Sequence, residues 1–268
     1  MLIEIWHQTL YRYDRPVSYS LQRLLLTPTN STAQKVVSWA IEAPGIEQAL
    51  SYADCFGNQA HLISQTRLHE EVSIVARGTV ITEDRAGVLP NSPGTVPDAL
   101  YLRQTPATVA DATIIELTQA LGGLAGLDLL HGLMNVVRDQ IDYETGVTDA
   151  HTTAGEALAG GRGVCQDHAH VFIAAARHCG VPSRYVSGYL LLAGNDVAEA
   201  GHGWAESLVP GLGWVGFDCA NRVCPTERYV RLCAGLDARS VRPVAGTRRG
   251  GDGERLAVEV KVIEAQQQ

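Results

Sequence analysis

The hydrophobic pattern of this chain changes period part-way along, and that change limits what it can fold into. Up to about residue 85 apolar and polar residues alternate as in half-buried strands. The alternating runs are Glu4 to Tyr13, Ser20 to Leu26, Val36 to Glu42, Gln59 to Arg67 and Val72 to Thr82. Turn residues divide them at Pro28-Thr29-Asn30, Ala43-Pro44-Gly45 and Phe56-Gly57-Asn58. Pro90, Pro93, Pro97 and Pro106, with Asn91 and Gly94 among them, then read as a linker. Beyond it the period becomes helical in Val109 to Leu121 and Leu127 to Ile141, interrupted by Gly122-Gly123 and Gly126. The expected organisation is a β-rich, sandwich-like unit over 1–87, a Pro-rich linker over 88–107, a mixed core over 108–235 and a C-terminal extension over 236–268. Leu256 to Val262 in that extension alternates again and should add a last strand to one of the sheets.

Within the mixed region, Gly163-Val164-Cys165-Gln166-Asp167 stands just before the apolar helical pattern Ala169, Phe172, Ile173, Ala176. One cysteine is thereby placed at the N-terminus of a buried helix, where unpaired N–H groups and the helix dipole stabilise a thiolate. His202 begins the strand-like run His202 to Val209, and Asp218 ends the run Gly213 to Asp218, with the turn Pro210-Gly211-Leu212 between them. Antiparallel pairing across so short a connection brings His202 and Asp218 together. Nucleophilic catalysis by a thiol needs a proton acceptor and a third group that orients it, and Cys165, His202 and Asp218 supply these types in that order. Singly, each also reads as an ordinary structural group; together, at element ends beside glycine, they point to chemistry.

Other residues carry weaker signals. Asp167 in a first helical turn suits the helix dipole, with substrate steering as its alternative. Trp204 and Trp214 are candidates to line a substrate groove, against core packing. His168 and His170 lie near Cys165, but their helical offsets spread them over different faces and no paired C-x-x-C or H-x-x-x-H accompanies them. No metal site and no cofactor are expected. Cys55, Cys165, Cys179, Cys219, Cys224 and Cys233 are irregularly spaced and no export signal opens the chain, so free thiols in a reducing cytoplasm are expected. Cys179 is expected to be a small core hydrophobe on the side of Phe172 and Ala176. A net charge of −8 without a basic run argues against nucleic acid and anionic membrane as partners. No apolar stretch reaches the roughly 18 residues of a membrane span.

The order of three core motifs makes the chain recognisable. Gly163 to Asp167, then Ala174 to Tyr189, then His202-Gly203-Trp204-Ala205-Glu206 with Gly213 to Asp218, closely resemble the bacterial transglutaminase-like family, whose members share a papain-like cysteine-hydrolase core. His7, Thr9, Tyr11, Tyr13, Leu24 to Pro28 and Asp54 to Asn58 resemble the β-rich domain that precedes the core in one subgroup. The resemblance implies an α+β fold in which the nucleophile sits on a central helix packed on an antiparallel sheet. It implies a thiol-dependent hydrolase of peptide or other amide bonds, with Cys165 forming a thioester, His202 acting as base and then acid, and Asp218 orienting the imidazole. Oxyanion donors would be the Cys165 N–H and a side chain from Gln140-Ile141-Asp142-Tyr143, Tyr143 ahead of Gln140, although a buried aromatic at a helix end reads as well for Tyr143. Amine transfer, which is cross-linking through protein glutamine, and a non-catalytic binding scaffold are the alternatives. Arg184 and Tyr185 would secure the strand beside the Cys165 helix. No loop has the acidic spacing of a calcium site. Two departures stand out: Gly203 replaces the usual alanine, and Cys219 replaces the proline that usually follows the aspartate, which should leave Asp218 less firmly aimed.

Overall fold

The computed structural model describes residues 1–90, 96–192 and 201–265. Asn91, Pro93 and Gly94 of the expected linker, and the terminal run Gln266-Gln267-Gln268, lie outside the described residues. In chain order the elements are β1 (Leu2–Thr27), β2 (Gln34–Glu42), β3 (Leu50–Ala53), β4 (Gln59–Gln65), β5 (His69–Thr82), β6 (Val88–Leu89), α1 (Ala112–Gln119), α2 (Gly126–Gln140), β7 (Asp142–Tyr143), α3 (Ala154–Gly160), β8 (Arg162–Gly163), α4 (Cys165–His178), β9 (Ser183–Leu190), β10 (His202–Val209), β11 (Gly213–Phe217), β12 (Tyr229–Gly235), β13 (Val244–Gly250) and β14 (Glu254–Glu264). No helix among the described residues is long and apolar enough to cross a membrane.

The first two alternating runs form one strand of 26 residues, β1. Its odd positions Ile3, Ile5, His7 and Thr9 are buried, as period two requires of a strand with one covered face. Pro16 has no N–H to donate, and the ladder to β5 shifts register between Arg12 and Val17. On the N-terminal side of this bend β1 lies between β5 and β14; on the other side it lies between β4 and β13. The last expected strand is therefore β14, and β1 is its partner over Ile3 to Tyr13.

A second, five-stranded antiparallel sheet has the order β12-β9-β10-β11-β6. Its edge strand β6 comes from the segment read as a linker, with Val88 and Leu89 paired to Val215 and Trp214. Tyr101 of the same segment is buried with its ring 4.7 Å from that of Trp214, and its carbonyl accepts a hydrogen bond from Arg177. The prolines punctuate this segment, but the apolar side chains between them tie it to the core.

Eleven of the fourteen residues of α4 are buried. The helix packs on β9 and β10 and is covered by α1, α2 and α3. A single cluster of buried apolar side chains runs from Ile3, Leu25 and Val260 through Phe172 and Ala176 to Phe217, joining both sheets and the helices. The fold is thus mixed, with extensive sheet and four α-helices. Arg184 and Tyr185 fasten β9 on opposite faces. Arg184 is buried, pairs with Glu206 at 2.6 Å and lies 3.9 Å over the Trp214 ring, while Tyr185 packs against His170 of α4. Cys179 is corrected: it caps the C-terminus of α4 and is exposed, because the helix ends just where the buried face would have continued.

Candidate active site

Cys165 is the first residue of α4, and the helix start is built by its neighbours. Val164 is extended and offers no side-chain cap. The Asp167 carboxylate reaches back instead, its Oδ2 accepting from the Val164 N–H at 2.8 Å and from the Thr148 hydroxyl at 2.7 Å. Any side chain at Gly163 would collide with that carboxylate, which accounts for the glycine. Asp167 is wholly buried and so is a structural residue. The first-turn N–H of Cys165 has no acceptor within the helix and remains available to a ligand oxygen.

The antiparallel register of β10 and β11 pairs Ala205 with Phe217 and brings the start of one strand beside the end of the other. His202 Nε2 lies 2.7 Å from Asp218 Oδ2, and the Cys165 thiol is the second hydrogen-bonding partner of the ring. Burial opposes a charged imidazole here, but the hydrogen bonds and charges of Asp218 and Cys165 outweigh it and raise the His202 pKa to about 10. Burial likewise opposes the Asp218 carboxylate, yet His202, Asn221 and Tyr229 hold its pKa below the ordinary value. Its Oδ2 accepts from His202, from Asn221 Nδ2 at 2.7 Å and from the Tyr229 hydroxyl at 2.7 Å, and its Oδ1 accepts from the Asn221 N–H at 3.3 Å.

Both departures from the family pattern find an explanation. A methyl group at residue 203 would overlap the Tyr185 hydroxyl, so Gly203 makes room for that ring. Asp218 is not loosened by the missing proline. Its N–H and carbonyl bridge to Val223 at 2.8 and 3.2 Å, and the turn closes with Arg222 at φ 56, a left-handed conformation rare for a residue with a side chain. Cys219 is buried in the core instead of exposed in a turn.

Tyr143 stands beside the start of α4 because β7 and β8 pair in parallel, with Tyr143 opposite Gly163. It is 49% exposed, which removes the buried-aromatic reading. Gln140 is exposed at the end of α2. Of the two groove candidates, Trp204 lines a cavity with Glu206, Tyr229 and Arg231, and Trp214 does not. Both are buried on the face of the sheet that carries Arg184 and Glu206, Trp204 with its ring stacked on His202 and Trp214 beneath Arg184. His168 and His170 diverge as their spacing requires: the His168 ring meets the carbonyls of Val164 and Ile141, and His170 Nε2 meets the Ala238 N–H. No group of His, Cys, Asp and Glu among the described residues is arranged to hold a metal ion.

Sequence reasoning missed Asn221, Tyr229 and Thr148. Asn221, three residues past Asp218, carried a turn signal; Tyr229 and Thr148 carried none, since strand order and loop path alone bring them in.

Residues 116–219 match the transglutaminase-like superfamily, and residues 3–81 match the bacterial transglutaminase-like N-terminal region. Both segments thus match models of the transglutaminase-like family, a family of cysteine-dependent hydrolases and transferases. An uncharacterized protein of Mycobacterium leprae is 26% identical over 97% of this chain and 98% of its own length. One of Mycobacterium tuberculosis is 29% identical over 90% of this chain and 86% of its own length. Among solved structures, a candidate cysteine protease from Cytophaga hutchinsonii superposes with a TM-score of 0.77 at 20% identity, over all of this chain and 92% of that one, and so shares the fold.

Proposed function

We propose that the protein is a thiol-dependent amide hydrolase of transglutaminase-like type, with Cys165 as nucleophile, His202 as base and then acid, and Asp218 orienting the imidazole. The observation that carries this reading is the unbroken chain from Cys165 at a helix start, through His202, to a buried and fully bonded Asp218. A His202 pKa of about 10 keeps the ring an imidazolium at neutral pH, able to give up a proton. The thiolate attacks the amide carbon, forming the C–S bond as the carbonyl π pair moves onto oxygen. The oxyanion is met by the Cys165 N–H and the Tyr143 hydroxyl. Collapse breaks the C–N bond, and His202 gives its proton to the departing amine. The neutral ring then takes a proton from water, which attacks the thioester and returns Cys165.

Water is the acceptor favoured by the exposure of Tyr143 and the half-buried state of Cys165, because amine transfer needs a site that keeps water out. The substrate in this reading is a peptide or another amide-containing molecule met in the cytoplasm. The cysteine protease description of the Cytophaga hutchinsonii structure agrees with this class of reaction. The test is to incubate the protein with a peptide and amide library, quench in acid and search Cys165 by mass spectrometry for an acyl adduct. An adduct on Cys165 that is lost in Cys165→Ala, with that variant still folded, is the expected result. An adduct on another residue, or turnover by Cys165→Ala, would overturn the assignment.

A further inference from the structure

His168 takes no part in the reaction as drawn, yet it is completely buried one helical turn behind the nucleophile. Its two ring nitrogens each face a backbone carbonyl in hydrogen-bond geometry: Nδ1 lies 2.8 Å from the oxygen of Val164 and Nε2 lies 3.0 Å from the oxygen of Ile141. A carbonyl oxygen only accepts. A neutral imidazole has one N–H and one lone pair, so it satisfies one of these contacts and sets lone pair against lone pair at the other. A half-turn of the ring does not help, since it replaces both nitrogens by carbons and loses both bonds.

We propose that His168 is a positioning residue that carries a proton on each ring nitrogen and staples the oxyanion side of the site to the nucleophile. The two carbonyls it joins are well chosen for that. Val164 immediately precedes Cys165, and Ile141 immediately precedes β7, which carries Tyr143. The direct pairing of β7 with β8 extends over only two residues, so the ring supplies a third tie between the segments. The Tyr143 ring also stacks on His168, with centroids 6.2 Å apart and planes at 28°.

In this proposal the countercharge to the doubly protonated ring comes from the adjacent residue. The adjacent Asp167 is wholly buried; one carboxylate oxygen takes the Val164 N–H and the Thr148 hydroxyl, and the other has no hydrogen-bond donor. An anion so incompletely bonded in the interior calls for a cation close by. The ring itself meets Tyr143 on β7 and the two carbonyls, while Asp167 is its neighbour in sequence and Cys165 lies three residues earlier on the same helix. Residues three apart on a helix share a face, so the ring places its positive charge behind the Cys165 sulfur as well.

The inference rests on the proposed function only for what the staple positions; the proton count is independent of any activity. It is tested first by nitrogen-15 NMR of the labelled full chain at pH 7, with His168→Gln used to assign the ring. Direct N–H correlations from both His168 nitrogens are expected, and a lone-pair shift at either nitrogen overturns the proposal. The second measurement is alkylation of Cys165 by iodoacetamide at pH 6. Glutamine keeps one donor and loses the charge, so His168→Gln should react roughly tenfold more slowly than the parent chain, as the loss of a favourable charge at a helix start would give. An unchanged rate per folded molecule would reduce His168 to a packing residue. Two protons on His168 in a protein that forms no acyl-Cys165 would leave the staple standing and remove the catalytic reading instead.

Discussion

His202 and Asp218 reach the site on β10 and β11, neighbouring strands within the five-stranded sheet, whereas Tyr143 reaches it on a two-residue strand paired with two residues of β8. Asp218 is 1% exposed and its side chain is bonded to His202, Asn221 and Tyr229; Tyr143 is 49% exposed and is held by its backbone and by stacking on His168. In the proposed reaction the acid–base side is thus fixed before substrate arrives, by a sheet that cannot shift without breaking its ladders. The oxyanion side depends on a short pairing and on one buried ring. A catalytic base must be aimed within a narrow angle, which suits an element held on both sides. An oxyanion donor must also leave a path for the substrate, which suits an open edge.

The comparison is sharpest at Asp218. Asp218→Asn keeps the shape of the side chain but favours the wrong imidazole tautomer, and turnover on a substrate found by acyl trapping should fall roughly 10⁴-fold, the loss known for the corresponding change in a serine protease triad. Unchanged turnover would show that the rigid side is rigid for reasons of folding alone. Tyr143→Phe should lower the rate of acylation by about 10²–10³, the loss typical of one oxyanion donor, with the melting temperature preserved because the side chain is half-exposed. No effect would transfer the role to Gln140.

Tyr229→Phe removes one of several donors to Asp218 and should slow turnover by about tenfold, equivalent to one hydrogen bond to a charged group. A loss as large as that of Tyr143→Phe would mean that the base side is less redundant than its bonding indicates. Stability against pH gives a separate readout of the same ion pair. The His202 pKa is raised from 6.5 to about 10 in the folded state, so the stability it contributes is fully present below 6.5 and disappears as the pH rises through about 10. Urea midpoints measured between pH 6 and 11 should decline in the parent chain, and more shallowly in Asp218→Asn; parallel curves would show that the ion pair adds nothing.

The sequence by itself determined the elements whose signal is local. Period-two runs became β1, β2, β4, β5 and β14, with boundaries shifted by a few residues, and the apolar stripe after Cys165 became α4. Cys165, His202 and Asp218 were legible because each sits at an element end and a tight turn joins the last two elements. α3 was missed although Thr153 and Glu156 form a capping box, since Ala154–Gly160 has too few large apolar residues to show a stripe. β12 and β13 were also missed. Their places are set by partners distant in sequence, β9 and β1, and no period within a short segment reports such a partner.

Tertiary structure alone decided the rest. Only the folded chain shows that the prolines between 88 and 107 punctuate a segment packed on the core, that Trp204 and Trp214 face away from α4, and that Tyr229 and Asn221 aim Asp218. Periodicity records which face of an element avoids water. Hydrogen-bond partners depend instead on distances between elements, and those are fixed only when the sheets and helices close on a common core. His168 is the clearest case: its helical position was plain in the sequence, but the two carbonyls that define its role belong to the end of α2 and the start of α4, and packing alone brings them to opposite sides of one ring.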